Sequence, residues 1–70
     1  MVRGRVKWFN ETKGYGYIIR EDDGKEIFVH FTTIDMPGYR SLENGQPVEF
    51  EYVDGEMGPL TTRVKPRQAA

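Results

Sequence analysis

Two short runs of this chain alternate with a period of two residues, and each carries different chemistry on its two sides. An extended backbone points successive side chains to opposite faces. In Tyr15-Gly16-Tyr17-Ile18, the two tyrosines therefore share one face, and Gly16 and Ile18 share the other. Ile27-Phe28-Val29-His30-Phe31 repeats the pattern, with Phe28 and His30 on one side and Ile27, Val29 and Phe31 on the other. No window sustains three turns of helical periodicity, and glycine and proline punctuate the chain at strand-like spacing. Such a chain is confined to short strands. Each of these two has an aliphatic side fit for a core and a side of flat rings.

The remaining segments extend this reading. Val2 to Asn10 reads as a first strand, with Trp8-Phe9 breaking strict alternation: the neighbouring rings face opposite ways or sit at a bulge. Asn10 to Gly14 is a hairpin connection, Tyr15 to Arg20 the second strand, Glu21 to Lys25 a turn around Asp23-Gly24, and Glu26 to His30 the third strand. Phe31 to Ile34 forms a short helical turn in which Phe31 and Ile34 act as plugs, and Asp35 to Gly45 is an irregular loop with Tyr39 at its tip. In Pro47 to Val53, Val48, Phe50 and Tyr52 share an inner face, while Glu49 and Glu51 face solvent. A turn over Asp54 to Pro59 leads into a last strand from Leu60 to Lys65, ended by Pro66. The expectation is an all-β chain, a small closed five-stranded barrel spanning residues 1–66, with residues 67–70 a frayed tail.

Seventy residues build one domain with a small core. An aromatic side chain on a strand belongs to the core more often than not, and Trp8 as a core anchor is a fair alternative. However, Val6, Ile18, Ile27, Val29, Ile34, Val48, Phe50 and Val64 already fill one face of so small a barrel. Packing Tyr15, Tyr17 and Phe28 inside as well overfills it. The rings are therefore expected outside, where they form a platform on which unpaired bases stack, since every base has a π-face.

Charge alone does not settle the matter. The net charge is −1, but residues 1–20 carry +4, residues 21–60 carry −8 and residues 61–70 carry +3. Positive charge travels with the aromatic stretch, which suits phosphate, and Lys7 and Lys13 beside the rings are candidate phosphate contacts. The alternatives are solubilising charge and an ordinary mixed surface.

Other functions find little support. There is no cysteine and His30 is the only histidine, so no thiolate or multi-histidine metal site is expected. Asp22-Asp23-x-x-Glu26 lacks calcium-loop spacing and reads as an exposed acidic turn. Ser41 is the only serine and no carboxylate pair lies near His30 in sequence, so catalysis is not expected, and neither is a cofactor or a small-molecule substrate. No apolar run reaches the ~18 residues of a membrane span and the first residues lack a signal-like apolar stretch, so the expected compartment is the cytoplasm. The rival partner for an aromatic face is a proline-rich peptide.

Lys13-Gly14-Tyr15-Gly16-Tyr17-Ile18 and Ile27-Phe28-Val29-His30-Phe31 are close to the two ribonucleoprotein signatures. An RRM domain lists them in the opposite order and needs two amphipathic helices. Together with Gly4-x-Val6-Lys7-Trp8-Phe9-Asn10, and continuing through Ile34, Gly38-Tyr39, Leu42, Gly45-Gln46, Val48, Phe50-Glu51 and Gly58-Pro59 to Val64, the chain resembles the bacterial cold-shock domain over nearly its whole length. The resemblance implies an OB-fold barrel that binds single-stranded RNA and DNA. It further implies an RNA chaperone that melts RNA secondary structure and regulates transcription and translation in the stress response, working as a monomer. It also implies base stacking by Trp8, Tyr15, Tyr17, Phe28, His30, Phe31 and Tyr39, with Lys7, Asn10 and Lys13 as polar and phosphate contacts. Tyr stands at positions 15, 17 and 39 where the family more often has Phe, which keeps the ring and adds a hydroxyl. Met57 stands where the family often has a basic residue.

Overall fold

A computed structural model describes residues 1–67. Five strands, β1 (Val2–Asn10), β2 (Tyr15–Arg20), β3 (Glu26–His30), β4 (Pro47–Gly55) and β5 (Gly58–Pro66), close into a barrel in the order β1-β2-β3-β5-β4. The first three form the expected antiparallel meander. A single parallel pairing, Phe28 with Leu60, joins β3 to β5, and the start of β1 pairs with β4 to complete the ring. The only helical element among the described residues is the 3₁₀ turn Phe31–Thr33.

All eight aliphatic and aromatic residues expected in the core are there, each at most 2% exposed. Leu42 and Thr61 join them, and Phe9 and Tyr52 pack against them partly buried. Leu42 comes from the irregular segment, so the long connection contributes a plug as well as an aromatic tip. Tyr52 keeps the inner side of β4 by alternation with Val48 and Phe50, and the unpaired extra residue Thr62 on β5 brings Thr61 inward opposite it. At this rim the Arg20 guanidinium donates to the Tyr52 hydroxyl and lies 5.7 Å from its ring centroid.

Three expectations need correction. The β4–β5 turn is tighter than Asp54 to Pro59: Gly55 pairs with Gly58, which leaves Glu56 and Met57 as its tip. Arg67 does not belong to a frayed tail, because its backbone N–H donates to the Pro47 carbonyl and its guanidinium lies 3.8 Å from Glu21 and 3.7 Å from Glu49. The rest of the expected tail, residues 68–70, falls outside the described residues. Finally, Phe31 is neither on the inner face with Ile27 and Val29 nor a plug. It is 42% exposed, because β3 ends at His30 and the chain turns outward. Its N–H donates to the Gly14 carbonyl, and its ring covers Gly14, whose φ of +80° and lack of a Cβ admit the close approach.

Gly16 faces inward between Phe9 of β1 and Val29 of β3. A Cβ there would meet backbone on β1, with Phe9 Cα at 2.8 Å. Backbone cannot swing aside as a side chain can. Gly16→Ala is therefore expected to cost about 2 kcal/mol or more of stability through overpacking. Urea denaturation checks this, and a loss under about 0.5 kcal/mol would contradict the packing.

A forked contact from Arg63 Nε and Nη2 to one carboxylate oxygen of Asp35, at 3.2 and 2.7 Å, ties β5 to the second residue after the helical turn. The hydrogen bond and charge of Arg63 hold the Asp35 carboxyl below its ordinary value of 3.8. A depressed native pKa means that the unfolded chain binds the proton more readily, so the contribution is present above that ordinary value and lost as pH falls through the native one. The pair is exposed and the effect small. The melting temperature of Asp35→Asn should fall below that of the parent at neutral pH and converge with it in acid. A gap that persists unchanged at low pH would argue against the ion pair.

Candidate nucleic-acid interface

The outer surface of β1–β3 follows from one irregularity. Val6 pairs with Ile18 and Trp8 with Tyr17, so Lys7 is an extra residue on β1. In a regularly paired strand Val6 and Trp8, two residues apart, would share a face. The bulge reverses the phase: Val6 stays buried, Trp8 emerges outside, and Phe9 turns in opposite Gly16.

Cross-strand partners share a face, so the pairings define three outward rows. One holds Trp8, Tyr17 and Phe28, and continues through the parallel pairing to Leu60. The next holds Asn10, Tyr15 and His30, and on the other side lie Arg5, Ile19 and Glu26. The rings brace one another. Trp8 lies 5.9 Å from Tyr15 at 70° and 5.6 Å from Tyr17 at 59°. Phe28 lies 6.0 Å from Tyr15 and 5.7 Å from Tyr17. Trp8–Tyr15 and Tyr17–Phe28 meet edge to face and Trp8–Tyr17 is tilted, while Tyr15 and Phe28 lie near parallel at 27° with their centroids 6.0 Å apart. All four rings are half-buried at their bases.

Beyond the second row the surface turns a corner. The His30 and Phe31 centroids are 4.7 Å apart. Phe31 then forms one wall of a groove of about 420 Å³ lined by Glu11–Gly14 and by Gly38, Tyr39 and Arg40. Tyr39 is 70% exposed, and its hydroxyl donates to the Glu11 carbonyl at 3.4 Å, which ties the loop tip to the first hairpin. All seven aromatic candidates thus lie on one continuous surface running from β1 to the tip of the loop.

The polar candidates divide. Lys13 is exposed at the groove, with no ion pair among the described residues. Lys7, expected free beside the rings, is held by Glu26 at 3.2 Å, with both side chains about half-exposed. Asn10 closes the first hairpin: its Oδ1 accepts from Lys13 N–H at 2.9 Å, and its backbone carbonyl accepts from Gly14 N–H. Of the cations in the basic N-terminal stretch, Arg20 lies away from the rings, 3.8 Å from each of Asp22 and Asp23. Two neighbours of the surface went unnoticed in the sequence. Arg40 had a signal, its position next to Tyr39. Leu60 had none, because its place depends on the parallel β3–β5 pairing.

A closed five-stranded barrel with one ringed, cation-flanked face has the architecture of an OB-type nucleic-acid-binding module. Residues 2–67 match the family described as the "'Cold-shock' DNA-binding domain", and the chain belongs to this family of nucleic-acid-binding proteins. It is 57% identical over 63 residues to cold shock-like protein CspC of Bacillus cereus, covering 90% of this chain and 95% of the relative. Identity is 51% to a cold shock-like protein of Aquifex aeolicus, covering 90% of each chain. It is 49% to cold shock-like protein CspE of Escherichia coli K12, covering 90% of this chain and 91% of that one. A solved structure described as drosophila Unr CSD456 superposes with a TM-score of 0.77 at 21% identity, a likeness of fold, with this chain spanning 26% of its length.

Proposed function

We propose that the barrel binds single-stranded RNA and DNA by laying successive unpaired bases on Trp8, Tyr17, Phe28, Tyr15 and His30, and onward into the groove between Phe31 and Tyr39. The observation that carries this reading is the set of four rings in mutual contact outside a core already filled by aliphatic residues and Phe50. A ring left outside costs hydrophobic stabilisation that folding could have used. A ligand with flat faces recovers it. Paired bases hide their faces, so duplexes bind poorly.

Lys13 and Arg40 border the groove, and Lys7 reaches phosphate by giving up part of its contact with Glu26. Asn10 offers its side-chain amide N–H, since Oδ1 is already engaged. Because the unpaired strand alone is bound, mass action shifts RNA hairpins toward the melted form without ATP. Such an RNA chaperone alters which messages and terminators are open, and so regulates transcription and translation. The cold shock-like relatives named above are bacterial, and in bacteria RNA is made and read in the cytoplasm, so the proposed work falls there. One barrel carries the whole surface, so a single copy suffices.

Each stacked base contributes about 1–3 kcal/mol. Tyr17→Ala and Phe28→Ala are therefore each expected to weaken binding of single-stranded heptathymidine by at least about fivefold, with the barrel still folded because neither ring is in the core. Titration of Trp8 fluorescence checks this, with a duplex as control. Unchanged affinity in both variants would refute the platform. Tight binding of a proline-rich peptide, insensitive to salt and to oligonucleotides, would favour the rival reading.

Salt gives a second check. With about two or three phosphates neutralised, the logarithm of affinity should fall with the logarithm of salt concentration with a slope of roughly −1.5 to −2. A slope near −5 would mean that a basic groove, rather than the rings, holds the strand.

A further inference from the structure

His30 ends β3 and caps the 3₁₀ turn that follows. Its Nδ1 lies 3.4 Å from the backbone nitrogen of Thr32 and 2.8 Å from the Thr32 hydroxyl oxygen. The Thr32 hydroxyl can donate or accept, so its contact fits either tautomer; a backbone N–H can only donate, and its approach to Nδ1 favours the tautomer in which that nitrogen presents its lone pair. In the neutral ring this places the proton on Nε2. The Thr33 hydroxyl donates to the His30 carbonyl at 2.7 Å and contacts buried Thr61 at 3.0 Å, so the backbone that carries the ring is anchored as well.

Nε2 makes no hydrogen bond among the described residues. The ring stands in the outward row with Tyr15, its cross-strand partner, and against Phe31. In that tautomer the ringed surface carries a second fixed N–H beside the indole N–H of Trp8, among rings that otherwise offer faces and the rotatable hydroxyls of Tyr15 and Tyr17.

From this geometry we infer that Thr32 is a positioning residue that holds His30 in the Nε2-protonated tautomer, and that Nε2–H donates a hydrogen bond to a carbonyl oxygen on the edge of a base lying beside Tyr15. The inference rests on the platform reading and deepens it: stacking accepts any base, whereas a fixed donor adds preference at one position. A base edge presenting its own N–H there meets donor against donor. A base edge presenting a carbonyl gains a bond that the free protein leaves unmade.

Two measurements test the inference separately. Long-range ¹⁵N–¹H correlation spectra of the neutral imidazole read the tautomer without any ligand. Nδ1 should appear as the lone-pair nitrogen and Nε2 as the protonated one, both in the parent and in Thr32→Val, which loses the hydroxyl and keeps the backbone N–H that points at Nδ1. A dominant Nδ1–H form in either protein would overturn the positioning role of the Thr32 N–H.

The second measurement replaces single thymines of heptathymidine by difluorotoluene, which keeps the shape and has no carbonyl. The parent should lose about three- to tenfold at one position beyond the loss seen elsewhere, as expected for one hydrogen bond. His30→Phe, which keeps a ring, should bind heptathymidine weaker by a similar factor and show no such extra loss at that position. Equal losses in the parent and His30→Phe at every position would overturn the donor role. If the parent bound no strand at all, the platform itself would fall and the recognition step with it, while the tautomer would still be read from the spectra.

Discussion

One inserted residue governs what this barrel shows to the outside. Lys7 has no partner on β2, and its insertion reverses the phase of β1 between Val6 and Trp8. In-phase pairing would bring an indole into a core whose inner positions are already taken by Val6, Ile18, Ile27, Val29, Val48, Phe50 and Val64. The small inward position at Gly16 belongs to the same solution, because it receives the backbone of β1 just past the bulge. Packing and display are therefore linked: the close fit at Gly16 is what sets Trp8 beside Tyr15 and Tyr17 on the outer face.

The charges are arranged to assist rather than to dominate. Lys7 is shared with Glu26, Arg20 with Asp22, Asp23 and the Tyr52 hydroxyl, Arg63 with Asp35, and Arg67 with Glu21 and Glu49. Exposed pairs of this kind contribute little stability. They do lower the free positive charge, and the cations left at the groove, Lys13 and Arg40, lie at its margin. A surface of this composition owes its grip chiefly to ring faces. Preference among bases then has to come from a few fixed polar atoms, of which His30 Nε2–H is the clearest.

The sequence was most legible where local periodicity decides the outcome. The inner residues of β2–β4, the antiparallel meander and the outward phase of Tyr15, Tyr17, Phe28 and His30 all follow from a period of two in short strands, whereas bulges interrupt that period in β1 and β5 and turn Thr61 inward unannounced. Trp8-Phe9 left two outcomes open, rings on opposite faces or a bulge; the rings do face opposite ways, and a bulge lies one residue earlier, at Lys7. Local pattern failed where long-range geometry intervenes. Phe31 continues the inward phase of Ile27 and Val29 on paper, yet the strand stops at His30 and Gly14 offers the ring a seat outside. Leu42 looked like loop and is core, and Leu60 joins the aromatic row only through a parallel contact between strands distant in sequence. The hold of Glu26 on Lys7 and of Pro47 on Arg67 depends on neighbours that no spacing reveals.

The central claim is that the rings lie uncovered because unpaired bases cover them. Proton NMR of the aromatic side chains, recorded as single-stranded heptathymidine is added, addresses it most directly. Stacking bases shift ring protons upfield, so the account predicts upfield shifts confined to Trp8, Tyr15, Tyr17, Phe28, His30, Phe31 and Tyr39, with Phe50 and the outer face of β4 unmoved. Shifts centred on Glu49 and Glu51, or ring resonances that stay put at saturating strand, would contradict it.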